Sequence, residues 1–511
     1  MHKINLWESH FSDNSYFSWV ENPDINSPNV SFELETFVEP VIHPIIESVN
    51  SSCNPNSYMI NESDNKKISE IGEKSPFEEL NNYDKEVLWS NRYAITQIPS
   101  IIPKLLSCVD YKNSYHVKEL EKILKLAKNL NPIQALELLT GNFLNENIRK
   151  FAVNCLEEAN HYEIKDYIIQ LVQALKYEIY HDSSLARFLL KIAIKYPLTV
   201  GHNLFWNLRS EMYSPNVQQR FGLYLEVFLN KIGKNMRKIF EDEAWLIKSL
   251  LSAADIPHDK SLKSNDEKLE KFRNALSDLN SHMTKYDMEI SIPLDFKMRV
   301  KRFIVEKCKV MKSKKKPLWL VFENCDEKGD NIVVMFKKGD DLRQDILTLQ
   351  LFKIMQLMWF EEKINLKMSL YNVICTGYYQ GMLEIVKDSE TLATVHKVYG
   401  GATATFSCKP LKKWFTNNVV CGEEDYIENF LLSSAAYSVA TFVLGIGDRH
   451  NDNIMVKKNG ELFHIDFGHF LGHFKYKYGF KRERAPFVFT EEFRHVLGGK
   501  NGTQYKNYFY L

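Results

Sequence analysis

The first part of the chain shows apolar and polar residues in alternation. Apolar or β-branched side chains stand at every second position from Val30 to Val38, and most positions between them hold serine or glutamate. A period of two predicts a half-buried β-strand, and Pro40 and Pro44 mark its end. Because too few such strands precede this point to close a sandwich, we predict a partial β-sandwich at 1–45.

The pattern then changes to a helical one. Residues 46–82 are rich in Ser, Asn, Lys and Glu without a sustained period, which predicts a solvated linker. Over 83–256 apolar residues recur at helical spacing, as in the stripes at 120–127 and 168–179. Breaks at roughly forty-residue intervals predict a HEAT-like solenoid. These stripes are typical of a packed core, so we assign no chemistry to them.

The last part of the chain mixes strands and helices. Apolar runs at 317–322 and 332–336 flank Gly329-Asp330, which predicts a β-hairpin. A helix is predicted from Asp340, a further strand at 381–386, and longer helices at 426–445. The nearly uncharged stretch at 430–447 contains Ser, Tyr and Thr, so we interpret it as part of a buried helix. A small β-rich lobe followed by a larger helical lobe is the expected arrangement.

Composition narrows the class of protein. The chain carries 65 Lys and Arg against 65 Asp and Glu, so no overall field would attract nucleic acid, and we predict no such partner. Its 8 cysteines lie without a Cys-x-x-Cys pair, which favours reduced thiols over disulfides or a zinc site. The first residues lack an apolar core of signal-peptide length. We therefore expect a cytoplasmic protein without a transmembrane segment.

Two motifs in the larger lobe carry the candidate chemistry. Phosphoryl transfer needs metal ligands, a group that orients or deprotonates the attacking hydroxyl, and cationic anchors for phosphates. Asp448 and Asn453 have the spacing of a kinase catalytic loop, and Asp466 begins an Asp-Phe-Gly turn after an apolar strand. Asn453 and Asp466 are the predicted Mg²⁺ ligands. The order Asp448-Arg449-His450 inverts the His-Arg-Asp of protein kinases.

The inverted loop, together with Gly-Asp-Asp-Leu-Arg-Gln-Asp at 339–345, resembles the phosphoinositide 3-kinase family of lipid kinases. The resemblance implies a multidomain α+β protein with a bilobal, protein-kinase-like lipid kinase domain. It assigns the end of a C2 domain to 1–45, a linker to 46–82, a helical (PIK) domain to 83–256 and a kinase domain to 257–511. The family's kinase domain continues with further helices, so we expect this one to be C-terminally incomplete.

The resemblance also implies the residues that bind ATP. Ser313 and Lys315 are expected at the phosphates, in a basic loop before the first strand of the lobe. Lys337 corresponds to the ATP lysine of the family, although Lys338 competes with it on sequence alone. Asp345 is expected behind the adenine, in a network with that lysine and Tyr371.

The remaining ATP contacts concern the base itself. The backbone of Glu384 and Val386 is expected to meet the adenine edge, because that edge needs one acceptor and one donor along an extended strand. Trp319, Met455 and Ile465 would sandwich the ring, and each of these three side chains is equally compatible with a place in the core.

Two histidines compete for the role of general base. Neutral imidazole accepts a proton near pH 7, and the inverted motif presents His450 to the inositol ring. Asp448 would then orient the ring or share its role. His469, directly after Asp-Phe-Gly, is the second candidate, and the sequence does not rank the two.

The activation segment from Asp466 to about Pro486 is basic. Its two clusters suit a head group that carries phosphates of its own, and they consist of Lys475 and Lys477, then Lys481, Arg482 and Arg484. This resembles class I members, which accept phosphatidylinositol 4,5-bisphosphate. Because the first cluster is thin, a class II pattern remains open, with phosphatidylinositol or its 4-phosphate as substrate.

The leading hypothesis is an ATP- and Mg²⁺-dependent kinase for the 3-hydroxyl of inositol lipids. It would be recruited peripherally to the plasma membrane or endomembranes, with a regulatory subunit bound through the helical domain. One alternative is a protein kinase of the related giant-kinase group, against which the basic segment argues. The other is a catalytically impaired scaffold fragment.

Overall fold

The computed structural model describes residues 2–5, 29–32, 59–400, 408–472, 476–477, 480–481 and 485–510. The chain divides into two units, 1–54 and 55–511. In the first unit, strands β1 (His2–Asn5) and β2 (Asn29–Phe32) pair antiparallel. The strand predicted from Val30 is confirmed as far as Phe32, and the rest of that prediction lies outside the described residues.

The second unit begins with a long run of helices. Their bounds are α1 Glu62–Glu73, α2 Asn82–Ser90, α3 Arg92–Ile95, α4 Ile102–Ser107, α5 Ser114–Leu126, α6 Pro132–Glu137, α7 Glu146–Glu157, α8 His161–Asp166, α9 Ile168–Ala174, α10 Ser184–Lys195, α11 His202–Glu211, α12 Pro215–Lys231, α13 Lys234–Ala253 and α14 Asn265–Lys285. Single 3-10 turns lie at Pro99–Ile101, Leu175–Tyr177 and Ile256–His258, and a π-turn lies at Pro197–Gly201. The helical character predicted for this region is confirmed, and the HEAT-like order stays a prediction.

Asparagine side chains start many of these helices. An asparagine precedes the helix and accepts a hydrogen bond from a backbone N–H of its first turn at Asn61, Asn81, Asn113, Asn131, Asn145 and Asn160. This bond satisfies one of the free donors at a helix N-terminus and contributes about 1 kcal/mol. The asparagine-rich composition therefore sets the helix starts locally.

The predicted linker is wrong for the region of α1. Asn61 caps this helix, and Ile68 and Ile71 are buried in the core of the helical region. Most of the remaining side chains of α1 are polar or charged, so its apolar stripe is too narrow to give a sustained period. Residues 46–58 lie outside the described residues, and α2 begins at Asn82.

A seven-stranded antiparallel sheet forms the small lobe. Its order is β3-β4-β6-β7-β9-β8, with β5 added beside β6. The strands are β3 Ile290–Ile292, β4 Asp295–Phe303, β5 Lys309–Val310, β6 Leu318–Asn324, β7 Ile332–Lys338, β8 Val373–Gly377 and β9 Gln380–Glu384. The predicted hairpin is confirmed, because β6 pairs with β7 antiparallel. The predicted strand at 381–386 ends at Glu384, before Val386.

The large lobe follows the sheet. Helix α15 spans Arg343–Glu361, so it starts after Asp340 and not at it. The other elements are β10 Ser389–Thr391, α16 Leu392–Tyr399, α17 Pro410–Asn418, α18 Glu423–Val443, β11 Ile454–Lys457, β12 Leu462–His464, β13 Tyr476–Lys477, β14 Phe480–Lys481, α19 Glu491–Val496 and α20 Thr503–Asn507. Strands β10, β11 and β12 form a small antiparallel sheet. The loop between α18 and β11 and the turn after β12 frame the site described below.

The buried apolar residues form two separate clusters. One joins the helical region to the small-lobe sheet and runs from Ile68 to Met382. The other contains residues of α15 such as Phe352 together with the large lobe. Helix α18 contributes many side chains to this second cluster, and its buried residues run from Tyr426 to Thr441, which confirms the predicted buried helix as far as Thr441. Phe442 and Val443 are exposed. No helix in the described part of the chain is both long and apolar enough to span a membrane.

Burial of α1 gives a stability prediction. Ile71 is fully buried, so Ile71→Ala leaves a cavity and lowers the free energy of unfolding by about 2–5 kcal/mol. The matched control is Ile133→Ala in α6, because that side chain is 57% exposed and its loss costs at most about 0.5 kcal/mol. Chemical denaturation measures both. Equal stability of the two variants would show that α1 does not belong to the core.

Candidate active site

The catalytic loop is held in an unusual backbone conformation. Asp448 has a φ of 57°, in the left-handed region. The side-chain amide of Asn453 donates to the backbone carbonyl of Asp448 at 2.9 Å, and both side chains are nearly buried. Such strained positions cost about 1–3 kcal/mol and concentrate at functional sites. The bond also uses the amide nitrogen of Asn453 and leaves its oxygen as the group able to bind a cation.

Arg449 connects the two loops that carry the candidate metal ligands. Its guanidinium donates to the backbone carbonyls of Gly447 at 2.9 Å and Ile465 at 2.7 Å, and also to that of Asp466. It lies over the Phe467 ring at 5.4 Å. Burial lowers the pKa of Arg449, and the nearby carboxylate of Asp466 opposes this shift. The sequence indicates no role for Arg449, because bonds to backbone carbonyls leave no pattern of side chains.

Asp345 contacts the Asp-Phe-Gly turn directly. Its carboxylate accepts from the backbone N–H of Phe467 at 3.2 Å. Burial raises the pKa of Asp345 to about 6, and the charge of Lys337 together with the Phe467 bond opposes that rise. Asp466, whose φ is 61°, is exposed beside it. The start of α15 and the turn after β12 therefore meet at one place.

The structure distinguishes the two candidate lysines. Lys338 forms an ion pair with Asp255 at 2.5 Å, outside the cleft. Lys337, on the other face of β7, is close enough to Asp345 to lower the pKa of that carboxyl. Tyr371 is buried, and its pKa is raised well above its usual value by burial and by the charge of Asp345. The expected lysine, aspartate and tyrosine are thus brought together.

The basic loop between β5 and β6 is a closed turn. Its backbone bonds run from Met311 N–H to Pro317 O at 2.9 Å and from Lys316 N–H to Ser313 O at 3.0 Å. Ser313 lies exposed in this turn. The ammonium group of Lys315 donates to the carbonyl of Gly339 and to the carboxylate of Asp340. In this conformation Lys315 is therefore paired with protein oxygens.

His450 lies between two aspartates. Its Nε2 is 3.9 Å from the Asp448 carboxylate and its Nδ1 is 3.7 Å from that of Asp452. The backbone N–H of Asp452 donates to Nδ1 at 3.2 Å. Because Nδ1 is an acceptor there, a neutral ring carries its proton on Nε2, towards Asp448. His469 meets the catalytic loop through its backbone carbonyl, which accepts from Gly447 N–H at 2.8 Å.

The residues expected around adenine are placed in both lobes. Trp319 lies on β6 opposite Met335 and packs with the core of the small lobe. Met455, Ile465 and Val386 pack partly buried against the core of the large lobe. The backbone N–H of Glu384 is used in a bond to Asn372. The adenine contacts of these residues stay a prediction.

A second set of bonds holds the catalytic loop, and no sequence motif indicates it. The side-chain amide of Asn451 contacts His396 Nδ1 at 3.1 Å, and the backbone carbonyl of Asn451 accepts from Ala393 N–H at 2.9 Å. Nε2 of His396 is 2.6 Å from the buried Glu492, which also accepts from Leu411 N–H. Helices α16, α17 and α19 are thereby joined to the catalytic loop.

Two of the five candidate substrate-binding residues lie in the described part of the chain. Lys477 and Lys481 lie on β13 and β14, which pair antiparallel, so the basic segment includes a short hairpin. Lys475, Arg482 and Arg484 lie outside the described residues. Which head group they bind stays a prediction.

The donor set fits Mg²⁺ shared with phosphate oxygens. Among the described residues, no group of three or more His, Cys, Asp or Glu side chains could hold a metal ion alone. Asn453 and Asp466 have the side-chain oxygens that would hold it, and Mg²⁺ in phosphoryl-transfer sites binds one or two protein ligands together with the substrate phosphates.

Two family models match the chain. The model of the phosphoinositide 3-kinase family accessory domain (PIK domain) matches residues 56–241. The model of phosphatidylinositol 3- and 4-kinase matches residues 331–509. The second range contains both motifs of the candidate site, and the first includes α1.

Curated relatives give the same picture. The chain is 39% identical over 99% of its length to phosphatidylinositol 3-kinase 1 of Dictyostelium discoideum. It is 38% identical over 87% of its length to phosphatidylinositol 3-kinase 2, and 37% identical over 93% to phosphatidylinositol 3-kinase 3, of the same organism. The chain spans 32%, 24% and 28% of the lengths of these three proteins.

The raised pKa of Asp345 predicts how stability depends on pH. Between about pH 4 and 6 the folded protein holds a proton that the unfolded chain releases, so stability falls as pH rises through this window. At pH 7.5 the carboxylate then costs up to about 3 kcal/mol. Asp345→Asn keeps the acceptor for Phe467 N–H and is expected to raise the free energy of unfolding at pH 7.5 but not near pH 4.

The control for this prediction has the opposite sign. Arg343 lowers the pKa of Asp341, so this carboxylate adds stability at neutral pH that is lost as pH falls. Asp341→Asn should destabilise the protein at pH 7.5, with a smaller difference in acid. Urea titrations at both pH values measure the two variants. A destabilised Asp345→Asn variant at pH 7.5 would contradict the account of Asp345.

Proposed function

We propose that the chain is a lipid kinase, because it matches the models of the phosphoinositide 3-kinase family accessory domain and of phosphatidylinositol 3- and 4-kinase. It transfers the γ-phosphate of ATP to the 3-hydroxyl of the inositol ring of phosphatidylinositol lipids. The similar proteins are phosphatidylinositol 3-kinases, which supports the 3-hydroxyl as the acceptor. The model of the catalytic domain covers the 3- and 4-kinases alike.

One observation carries this proposal. Arg449 ties the loop of Asn453 to the turn of Asp466 through backbone carbonyls. Phosphoryl transfer depends on positioning and on charge stabilisation more than on covalent chemistry by the protein. A rigid link between the two metal-ligand loops supplies the first of these requirements.

The other residues divide the remaining work. Lys337 and Lys315 bind the phosphates, and Lys315 must exchange its bonds to Gly339 and Asp340 for phosphate oxygens. Asn453 and Asp466 would hold Mg²⁺, which when bound would supply charge neutralisation at the phosphoryl oxygens.

The proton of the attacking hydroxyl moves to the pair formed by Asp448 and His450. With the neutral ring protonated on Nε2, Asp448 is the acceptor and His450 donates towards it or towards the transferring phosphate. This arrangement makes Asp448, and not His450, the proposed base. His469 follows the Asp-Phe-Gly turn and serves as the second contact to the phosphate.

The proposed substrate is phosphatidylinositol 4,5-bisphosphate at a membrane surface. The support is the basic composition of the activation segment, since charged side chains form strong hydrogen bonds to phosphate. Recruitment to the plasma membrane or endomembranes and a regulatory subunit on the helical domain belong to the same proposal. The protein's substrate must in any case reach the cleft from a lipid surface.

The metal ligands give the first activity prediction. Asn453→Ala and Asp466→Ala should each lower kcat by roughly a thousandfold, because losing a ligand removes several kcal/mol of barrier lowering. Thermal unfolding should stay close to that of the wild type. Asp388→Asn is the control, because this exposed aspartate of the same lobe forms a surface ion pair with Lys458. Near-normal turnover of either alanine variant would contradict the assignment of the loop.

The basic segment gives a prediction about substrate choice. Neutralising Lys481, Arg482 and Arg484 together should weaken use of the 4,5-bisphosphate by orders of magnitude. Charge-assisted bonds to phosphate contribute roughly 1.5–3 kcal/mol each. Use of plain phosphatidylinositol should change far less. Neutralising Lys475 and Lys477 should give a milder shift of the same kind.

The assay for substrate choice is product chromatography on vesicles of fixed total charge, because a basic segment also binds anionic membrane without specificity. A parallel loss on both lipids would identify the segment as a membrane anchor. The bisphosphate assignment would then lose its support.

A further inference from the structure

Arg343 belongs to the motif at 339–345 and bonds to the helical domain. It sits at the first position of α15, two residues before Asp345. Its guanidinium donates to Glu211 at 2.9 Å, and to both carboxylate oxygens of Asp341 at 2.8 and 2.6 Å. All three guanidinium nitrogens thus have partners. The nitrogen that donates to Glu211 also donates to the Tyr213 hydroxyl at 3.4 Å, so two of the partners lie outside the kinase domain.

Glu211 is the last residue of α11 and is deeply buried. Its side chain is 4% exposed, and it accepts from Lys176 at 2.7 Å as well as from Arg343. Lys176 and Arg343 together lower the pKa of Glu211 against the effect of burial. A buried carboxylate with two cationic partners fixes both in place, since loss of either leaves a poorly solvated charge. Glu211 is therefore a rigid support for the start of α15.

The start of α15 lies between two parts of the ATP site. On one side Asp345 accepts from the backbone N–H of Phe467 in the Asp-Phe-Gly turn. On the other side Asp340 pairs with Lys315 of the phosphate loop, next to Asp341 in the chain. A shift of Arg343 would thus displace both the turn that carries a metal ligand and the lysine of the phosphate loop.

We infer that Glu211 is a positioning residue for nucleotide binding, acting through Arg343 on Asp341 and on the start of α15. This inference rests on the proposed function, because it takes the cleft as the ATP site. It extends that function by naming the contact through which the state of the helical domain sets nucleotide affinity. Whatever displaces the end of α11 should therefore change that affinity from outside the catalytic domain.

A second contact between α15 and the helical domain provides the control. Lys353 of α15 pairs with Asp166 of α8 at 2.7 Å, but the two side chains are 48% and 36% exposed. This pair also joins the helical domain to α15, ten residues after Arg343 in the sequence. Asp166→Asn therefore weakens the same interface without touching the start of the helix.

The test measures affinity for a fluorescent, non-hydrolysable ATP analogue with Mg²⁺ by titration of the full chain. Glu211→Gln and Arg343→Gln should each raise Kd at least about fivefold, the lower range of coupling between sites. Asp166→Asn should change it less than twofold. The double variant Glu211→Gln/Arg343→Gln should bind the analogue no more weakly than Arg343→Gln alone, because both changes remove the same contact between Glu211 and Arg343.

Hydrogen–deuterium exchange of residues 339–346 without nucleotide supplies an independent readout. Glu211→Gln should accelerate exchange there, and Asp166→Asn should not. Failure of the wild type to bind the analogue would refute the proposed function itself. If the wild type binds, unchanged affinity in Arg343→Gln, or equal losses in Glu211→Gln and Asp166→Asn, would overturn the positioning role. Arg343→Gln decides the test if Glu211→Gln does not fold.

Discussion

The candidate site depends on one partly buried cation whose partners are main-chain carbonyls. Arg449 donates to the carbonyls on both sides of the cleft floor, at Gly447 in the catalytic loop and at Ile465 beside the Asp-Phe-Gly turn. A guanidinium withdrawn from water is stable only when its donors are satisfied, so the two loops must keep their spacing. The two residues with left-handed backbone, Asp448 and Asp466, lie directly beside these contacts.

Other single side chains hold the loops around the site in a similar way. The carboxylate of Asp345 accepts a hydrogen bond from the backbone N–H of Phe467 in the turn. Glu492 is connected to the catalytic loop through His396 and the side chain of Asn451. In each case a side chain from a helix supports a loop of the site. The loops that carry chemistry are therefore positioned by the helices around them, as expected of loops on a rigid scaffold.

The sequence predicted the parts that repeat or that have a motif. The β6–β7 hairpin follows from two apolar runs around Gly329-Asp330, and the loops of Asn453 and Asp466 follow from their spacing. The α1 helix was missed because only two of its residues are buried. The choice of Lys337 over Lys338 needed the position of Asp255, which is distant in the sequence. Interactions with backbone carbonyls or across domains have no local pattern that a sequence could show.

The division of the buried residues into two clusters has a mechanical consequence. The small-lobe sheet shares one continuous interior with the helical domain, whereas α15 belongs to the interior of the large lobe. Sliding between two close-packed interiors is easier than deforming one of them. The boundary for rigid-body rotation therefore runs through the middle of the kinase domain and not between the two domains. In such a rotation the helical domain and the small-lobe sheet move together as one rigid body.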